Sequence, residues 1–302
     1  MPSQTISTPA LADTERSGTL AATAGLPVWA WAVLGSLTLL LYFRVGTKLL
    51  LDWYTFPDYA HGFLIPFFCV YVVWEKRAAI LATPLRPSWA GTGLVALGLV
   101  TYITGVYGAE LFLARISGLM LLGGLVWTFA GLRMLRVLKF PLLVLLLAIP
   151  FPAVIFNQIT FPLQLFASRL ASAILPFFDV PVLREGNVIE LPMMRLEVAE
   201  ACSGIRSLMS LFTVAIIYGY LLEPSTFRRT LLALGSIPIA VAANVLRIVG
   251  TGLCVQYWDP EKAMGFFHEF SGWLMFIFSL LLVYLLQKLL VLASRTRKQA
   301  AV

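Results

Sequence analysis

The stretch Glu200-Ala201-Cys202-Ser203-Gly204-Ile205-Arg206 opens onto Leu208–Leu222, a run apolar enough to cross a bilayer. The loop ahead of it is dense in charge, with Arg184, Glu185, Glu190, Arg195 and Glu197. A thiol therefore stands at the mouth of a membrane helix, with an arginine four residues on and a small Ser-Gly step between them. That placement suits a reactive group at a water–lipid boundary.

The apolar character extends over the whole chain. Of its 302 residues, 60% are hydrophobic and 12% charged, with a mean hydropathy of +0.88. Soluble domains carry about 25% charged residues, and a spanning helix needs about 20 apolar ones. Spans are read at roughly 27–45, 62–75, 90–107, 111–131, 138–157, 203–222, 230–255 and 270–290. The fold class this predicts is an all-α polytopic integral membrane protein of about eight transmembrane helices. Residues 1–26 form a polar Thr/Ala/Ser-rich tail without the basic n-region and short apolar core of a cleaved signal peptide. Residues 27–292 form the membrane domain and 293–302 a basic tail. No internal repeat, metal-finger spacing or P-loop is present.

A net charge of +7 invites a nucleic-acid reading, but the placement of the charges argues against that partner. Basic residues cluster in alternate loops: Lys76, Arg77 and Arg86; Arg133, Arg136 and Lys139; Arg228 and Arg229; Arg295, Arg297 and Lys298. By the positive-inside rule these loops are cytoplasmic, together with both termini. The other loops hold most of the acids, among them Asp52, Asp58, Glu110, Asp179, Glu185, Glu190, Glu197, Glu200, Asp259, Glu261 and Glu269. The basic balance reports topology, and the bilayer is the partner it implies.

Residues 158–178 are apolar but interrupted by Pro162 and Pro176, and they carry Gln164 and Arg169. A ninth full span would invert every later loop, so this segment is read as interfacial or re-entrant. Val180–Val198 then reads as short strands around a Gly-Asn turn, a β-hairpin-like extracytoplasmic element. Together these make an outer insertion over about 158–201 that delivers the chain to Cys202.

Three polar groups from distant parts of the sequence then meet at one membrane face. Cys202 begins the sixth span, Asn244 and Arg247 occupy the outward half of the seventh, and His268 immediately precedes the eighth. Arginine inside a span is costly and marks a functional hypothesis. Asn244 and Arg247 are three apart and share a helix face. Each residue also has a plainer reading. Cys202 as small apolar packing, Arg247 as the partner of an outer-loop glutamate, and His268 as an interfacial histidine beside Glu269 all stay open. Cys69, in Phe-Phe-Cys-Val-Tyr, reads as packing; Cys254 is a possible disulfide partner of Cys202 in an oxidising compartment.

The chemistry favours a nucleophile. A thiolate is the reactive form, and helix N-termini and nearby arginine or histidinium favour it, whereas Glu197 and Glu200 oppose it. His268 has the chemistry to take the thiol proton and return it to a leaving amine. Arg247 has the charge to hold a tetrahedral oxyanion, with backbone N–H groups near Ser203 and Gly204. His61 reads as a positioning residue at the start of the second span.

These residues, in this order, resemble the exosortase family of bacterial membrane transpeptidases. Ala199-Glu200-Ala201-Cys202-Ser203-Gly204-Ile205-Arg206 is similar to the family's nucleophile motif, and Asn244-Val245-Leu246-Arg247-Ile248 to its arginine motif. His268 occupies the position of its histidine. Asp58-Tyr59-Ala60-His61-Gly62-Phe63-Leu64-Ile65-Pro66 resembles its N-terminal signature, with Ala60 where serine is usual, which removes any hydroxyl role there. The resemblance implies Cys202, Arg247 and His268 as catalytic residues. Arg206, Asn244, Ser203, Gly204, His61 and Glu200 would support or bind substrate, with no cofactor and no metal. It implies substrates with a C-terminal Pro-Glu-Pro motif, a transmembrane helix and a basic tail, transferred to an unknown surface acceptor. It places the chain in a Gram-negative inner membrane with its site at the periplasmic face, commonly beside exopolysaccharide genes. The chain ends soon after its last span, so the C-terminal domain of some relatives is not expected.

Two other classes compete. A metal-dependent protease built on His61 and His268 would have only two histidines and no His-Glu-x-x-His. A non-enzymatic component of polysaccharide export or assembly would leave Cys202 replaceable by serine or alanine.

Overall fold

The structure is a computed structural model that describes residues 28–198, 205–258 and 266–299, with the backbone alone at 28, 205, 266–269 and 295–299. The chain divides into two units, Met1–Gly46 and Thr47–Val302. Helix α1 (Val28–Thr55) begins in the first and continues into the second, which holds every other element below. A 3₁₀ turn (Pro57–Phe63) leads into α2 (Leu64–Glu75) and the short α3 (Arg77–Ala82). Then come α4 (Ala90–Tyr107), α5 (Leu111–Ala130), α6 (Leu132–Leu145) and α7 (Ala153–Ile174). Three short strands follow: β1 (Leu183–Glu185), β2 (Val188–Glu190) and β3 (Arg195–Glu197). The chain ends in α8 (Ile205–Leu222), α9 (Thr226–Tyr257) and α10 (Phe266–Gln299).

Among the described residues, six helices are long and apolar enough to cross a membrane: α1, α4, α5, α7, α9 and α10; Arg206–Leu222 is a shorter apolar helix. In a medium without water every backbone N–H and C=O must find its partner inside the helix, which is why these apolar runs fold this way. The chain is thus an all-helical multi-pass membrane protein with a small sheet.

Helices α4 and α5 meet along a seam of small residues. A Cβ added to Gly105 would come within 2.5 Å of the Ala114 nitrogen, and one on Gly98 within 3.1 Å of the Leu121 nitrogen. One on Gly91 would run into the Thr128 backbone, and one on Gly124 would reach 2.8 Å from the Val95 nitrogen. The glycines at 91, 98 and 105 recur every seven residues, so they line one face and let the backbones approach as lipid-facing helices require. Glu110 caps α5, its carboxylate accepting from the Phe112 N–H at 3.3 Å.

The structure places the interruption before α7 differently from the sequence reading. The break falls at residues 149–152, where Pro150 and Pro152 end one helix and start the next. Residues 153–174 are one continuous helix through Pro162. Pro162 removes a single hydrogen bond, and the apolar surroundings make breaking the remaining ones costly. The small sheet of residues 183–197 follows this helix.

The sheet forms as its sequence predicts. β1 and β2 pair antiparallel across the two-residue turn Gly186-Asn187, and β3 pairs with β2. Gly186 has φ +63°, the positive value a II′ hairpin turn needs at its first central residue. Alternation buries Ile189 and Leu196 completely. They join Ala167 and Ala171 of α7, Leu175 just after it, and Val245, Ile248 and Val249 of α9 in one core. Burying each such side chain stabilises by on the order of 2 kcal/mol, so two aliphatics hold a sheet of three-residue strands on the helices. Ser168 of α7 adds a tie, its hydroxyl donating to the Gly186 carbonyl at 3.0 Å.

Candidate active site

Cys202, Ser203, Gly204 and Glu200 lie outside the described residues. Both flanks of that segment are fixed. On one side Val198 is fully buried in the core it shares with Val245, Ile248 and Val249 of α9. Its N–H donates to the Asn187 carbonyl at 3.0 Å. On the other side Arg206, in the first turn of α8, donates from Nε to Asp58 Oδ1 at 2.9 Å. Asp58 belongs to the 3₁₀ turn of the Asp-Tyr-Ala-His-Gly-Phe stretch. Two sequence motifs nearly 150 residues apart therefore share an ion pair. The Arg206 side chain is 57% exposed, so the pair adds at most about 1 kcal/mol of stability. Its importance is positional.

The turn itself is held from beneath. Trp53 donates from Nε1 to the Ala148 carbonyl at 2.7 Å, and a Cβ on Gly62 would sit 2.6 Å from Trp53 Cδ1. Gly62 is thus dictated by the indole on which the turn lies. His61 Nε2 stands 3.2 Å from the Leu147 carbonyl. A carbonyl only accepts, so the ring proton sits on Nε2. Burial pushes the His61 pKa below its usual value, with the carbonyls of Leu147 and Asp58 opposing that shift. His61 is therefore a neutral tie between this turn and the short 3₁₀ turn Leu146–Ala148 that follows α6.

Sequence reasoning did not find the charges under this turn. Asp52 of α1 pairs with Arg115 of α5, whose side chain is only 3% exposed. Tyr59 sits over this pair, and burial first, then Asp58 and Asp52, push its hydroxyl pKa up, against Arg115. The signal available was Arg115 itself, an arginine inside an apolar run, which demands a partner.

Arg247 and Asn244 are both half-buried on α9. The Arg247 guanidinium lies on Gly272 of α10: a Cβ there would come within 3.2 Å of Nη2 and 3.3 Å of Cζ. The two helices run antiparallel, since Gly235 meets Leu286 at the other end of the same contact. On α10, His268 precedes Gly272 by four residues, about one helical turn. Its side chain lies outside the described residues. A cavity of about 110 Å³ opens beside Arg247, lined also by Leu246, Gly250, Thr251, Cys254, Ser271 and Met275. Thr251 donates from Oγ1 to the Arg247 carbonyl at 2.9 Å. Cys254 stands at the wall of this cavity, without a disulfide partner among the described residues, and Cys69 is buried, its Sγ 3.3 Å from the Pro141 carbonyl.

The α8–α9 packing sets the level of these groups. A Cβ added to Gly219 of α8 would come within 3.5 Å of the Arg229 Cα of α9. Both helices rise about 1.5 Å per residue, so the start of α8 stands level with the Asn244 region of α9. The structure thus brings Arg206, Asn244, Arg247 and the first turn of α10 to one end of the α8–α10 bundle. His61 and Asp58 join it through the 3₁₀ turn.

A family model described as transmembrane exosortase matches residues 53–285. No curated protein and no solved structure matches the chain.

Proposed function

Because the chain belongs to the transmembrane exosortase family, generally cysteine transpeptidases, we propose that Cys202 is the nucleophile of a membrane transpeptidase, with Arg247 and His268 as its partners. Its substrates are exported proteins with a C-terminal Pro-Glu-Pro motif, which it cleaves and passes to a surface acceptor, a role linked to exopolysaccharide production. It works at the periplasmic face of the inner membrane, with both chain ends in the cytoplasm. The observation that carries the reading is the Arg247 guanidinium resting on Gly272, one helical turn from His268.

The chemistry follows from those groups. His268 takes the proton of the Cys202 thiol, and the sulfur attacks the scissile carbonyl. The negative charge on the carbonyl oxygen falls to Arg247 and to backbone N–H groups near Ser203 and Gly204. Collapse breaks the C–N bond, the amine leaves with the proton from His268, and a thioester remains on Cys202. The acceptor nucleophile then displaces the thiol. Arg206, Asn244, His61 and Glu200 support the site: Arg206 anchors the chain after Cys202 to Asp58, and His61 anchors that turn to Leu147.

The test is processing of a tagged substrate in cells, read as loss of its C-terminal helix and a mobility shift. Cys202→Ala should give no processing at unchanged protein level. Processing at the wild-type rate would overturn the enzyme and favour a scaffold in polysaccharide export.

A further inference from the structure

At the far end of α8 the bundle holds a second polar cluster that the transpeptidase chemistry does not use. Glu223 is 2% exposed, and its carboxylate accepts from Gln287 Nε2 at 2.7 Å. Its other oxygen lies 2.8 Å from Arg228 Nε, and Arg228 also donates from Nη1 to Ser294 Oγ at 3.0 Å. A cleft of about 810 Å³ opens on this cluster, walled by Leu222, Phe227, Leu290 and Val291. We propose that the cleft binds one anionic phospholipid.

Depth, charge and size point to that occupant. The apolar spans Thr226–Tyr257 and Phe270–Ser294 begin and end at the cleft, so it lies where hydrocarbon gives way to headgroups. Among the described residues, Glu223 is the only acid in its lining, and Arg228 and Gln287 answer it. Arg229 donates from Nε to the Glu223 carbonyl, and the α10 sequence runs on past Ser294 through Arg295, Arg297 and Lys298, so basic residues outnumber the acid at this end of the helices. A guanidinium carries five donors, and Glu223 and Ser294 face two of the Arg228 nitrogens, which leaves capacity for a phosphate oxygen. Ligand sites run to about 300–1,000 Å³, enough here for a headgroup and the upper methylenes, with the apolar walls taking the chains. A diffuse basic surface would attract anionic lipid without stoichiometry. A rigid floor of hydrogen-bonded groups beneath an apolar groove selects one molecule.

The full chain, reconstituted in nanodiscs of phosphatidylcholine with added phosphatidylglycerol and released for native mass spectrometry, tests this. One phosphatidylglycerol should be retained per chain, preferred about fivefold or more over phosphatidylcholine, the factor one basic residue contributes at a headgroup. Arg228→Gln should abolish the preference. Should its loss expose Glu223 and prevent folding, Ala293→Trp fills the cleft and leaves the ion network intact; it too should lose the retained lipid at an unchanged thermal midpoint. Equal retention of both lipids, or a preference that survives Ala293→Trp, would overturn the proposal.

Discussion

Two of the helix pairs that use glycine at close approach use it for opposite ends. Between α4 and α5 the space where a side chain would stand is filled by the neighbouring backbone, at Gly105 by Ala114 and at Gly124 by Val95. Between α9 and α10 the space at Gly272 is filled by the Arg247 guanidinium. The first arrangement yields packing and nothing else. The second lodges a charged group against a helix in apolar surroundings. What occupies the room left by a glycine thus separates a structural contact from a candidate site.

The largest expected break in that comparison is at Arg247. Arg247→Ala should lower substrate processing by about 10²–10³-fold, the usual loss for one oxyanion donor. Arg247→Lys should restore little, because lysine lacks the planar donor fork. Rates of processing in cells, corrected for protein level, check both.

The same substitution at two glycines sharpens it further. Gly105→Ala forces a Cβ onto the Ala114 backbone and should destabilise by about 1–3 kcal/mol. Gly272→Ala meets only the end of a flexible side chain, and the helix gains about 1 kcal/mol from the better propensity of alanine. Thermal unfolding should therefore fall for the first and hold or rise for the second. Processing should drop in Gly272→Ala, since the guanidinium must move.

A smaller effect is expected at the Asp58–Arg206 pair. Exposed as it is, its loss should change stability by under about 1 kcal/mol. Asp58→Arg and Arg206→Asp should each slow processing, and the double exchange should recover part of the rate. Failure of the exchange to recover any activity would show that the pair does not set the position of the α8 start.

The smallest is a pH effect at His61. Burial holds its folded pKa below the usual 6.5, so the unfolded chain binds more protons as pH falls through that value. Stability then rises with pH in that window and is lost progressively below about 6.5, levelling once pH passes below the folded pKa. His61→Gln should flatten this slope, measured as thermal midpoint against pH, and reduce processing only in part.

Much of the architecture was legible because it is local. Apolar runs announced the spans, and Gly186-Asn187 announced the hairpin from two residues. The three-residue step from Asn244 to Arg247 fixed their common face. The helix runs on through Pro162 because continuity is set by the apolar surroundings more than by one proline. The contacts that assemble the site are non-local. Nothing in the neighbourhood of Asp58 names Arg206, nothing near Asp52 names Arg115, and Gly272 is one glycine of 22 until Arg247 is seen on it. The Glu223–Gln287 bond joins residues 64 apart and was likewise invisible to periodicity.

The central claim is that the Cys202 sulfur carries the substrate. Stopping the reaction of the full protein with a tagged substrate in acid, followed by peptide mapping, measures it directly. The account predicts a substrate fragment joined to the Cys202 peptide as a thioester, released by hydroxylamine and absent in Cys202→Ala. Processing that continues after complete alkylation of Cys202, or an adduct on another residue, would contradict it.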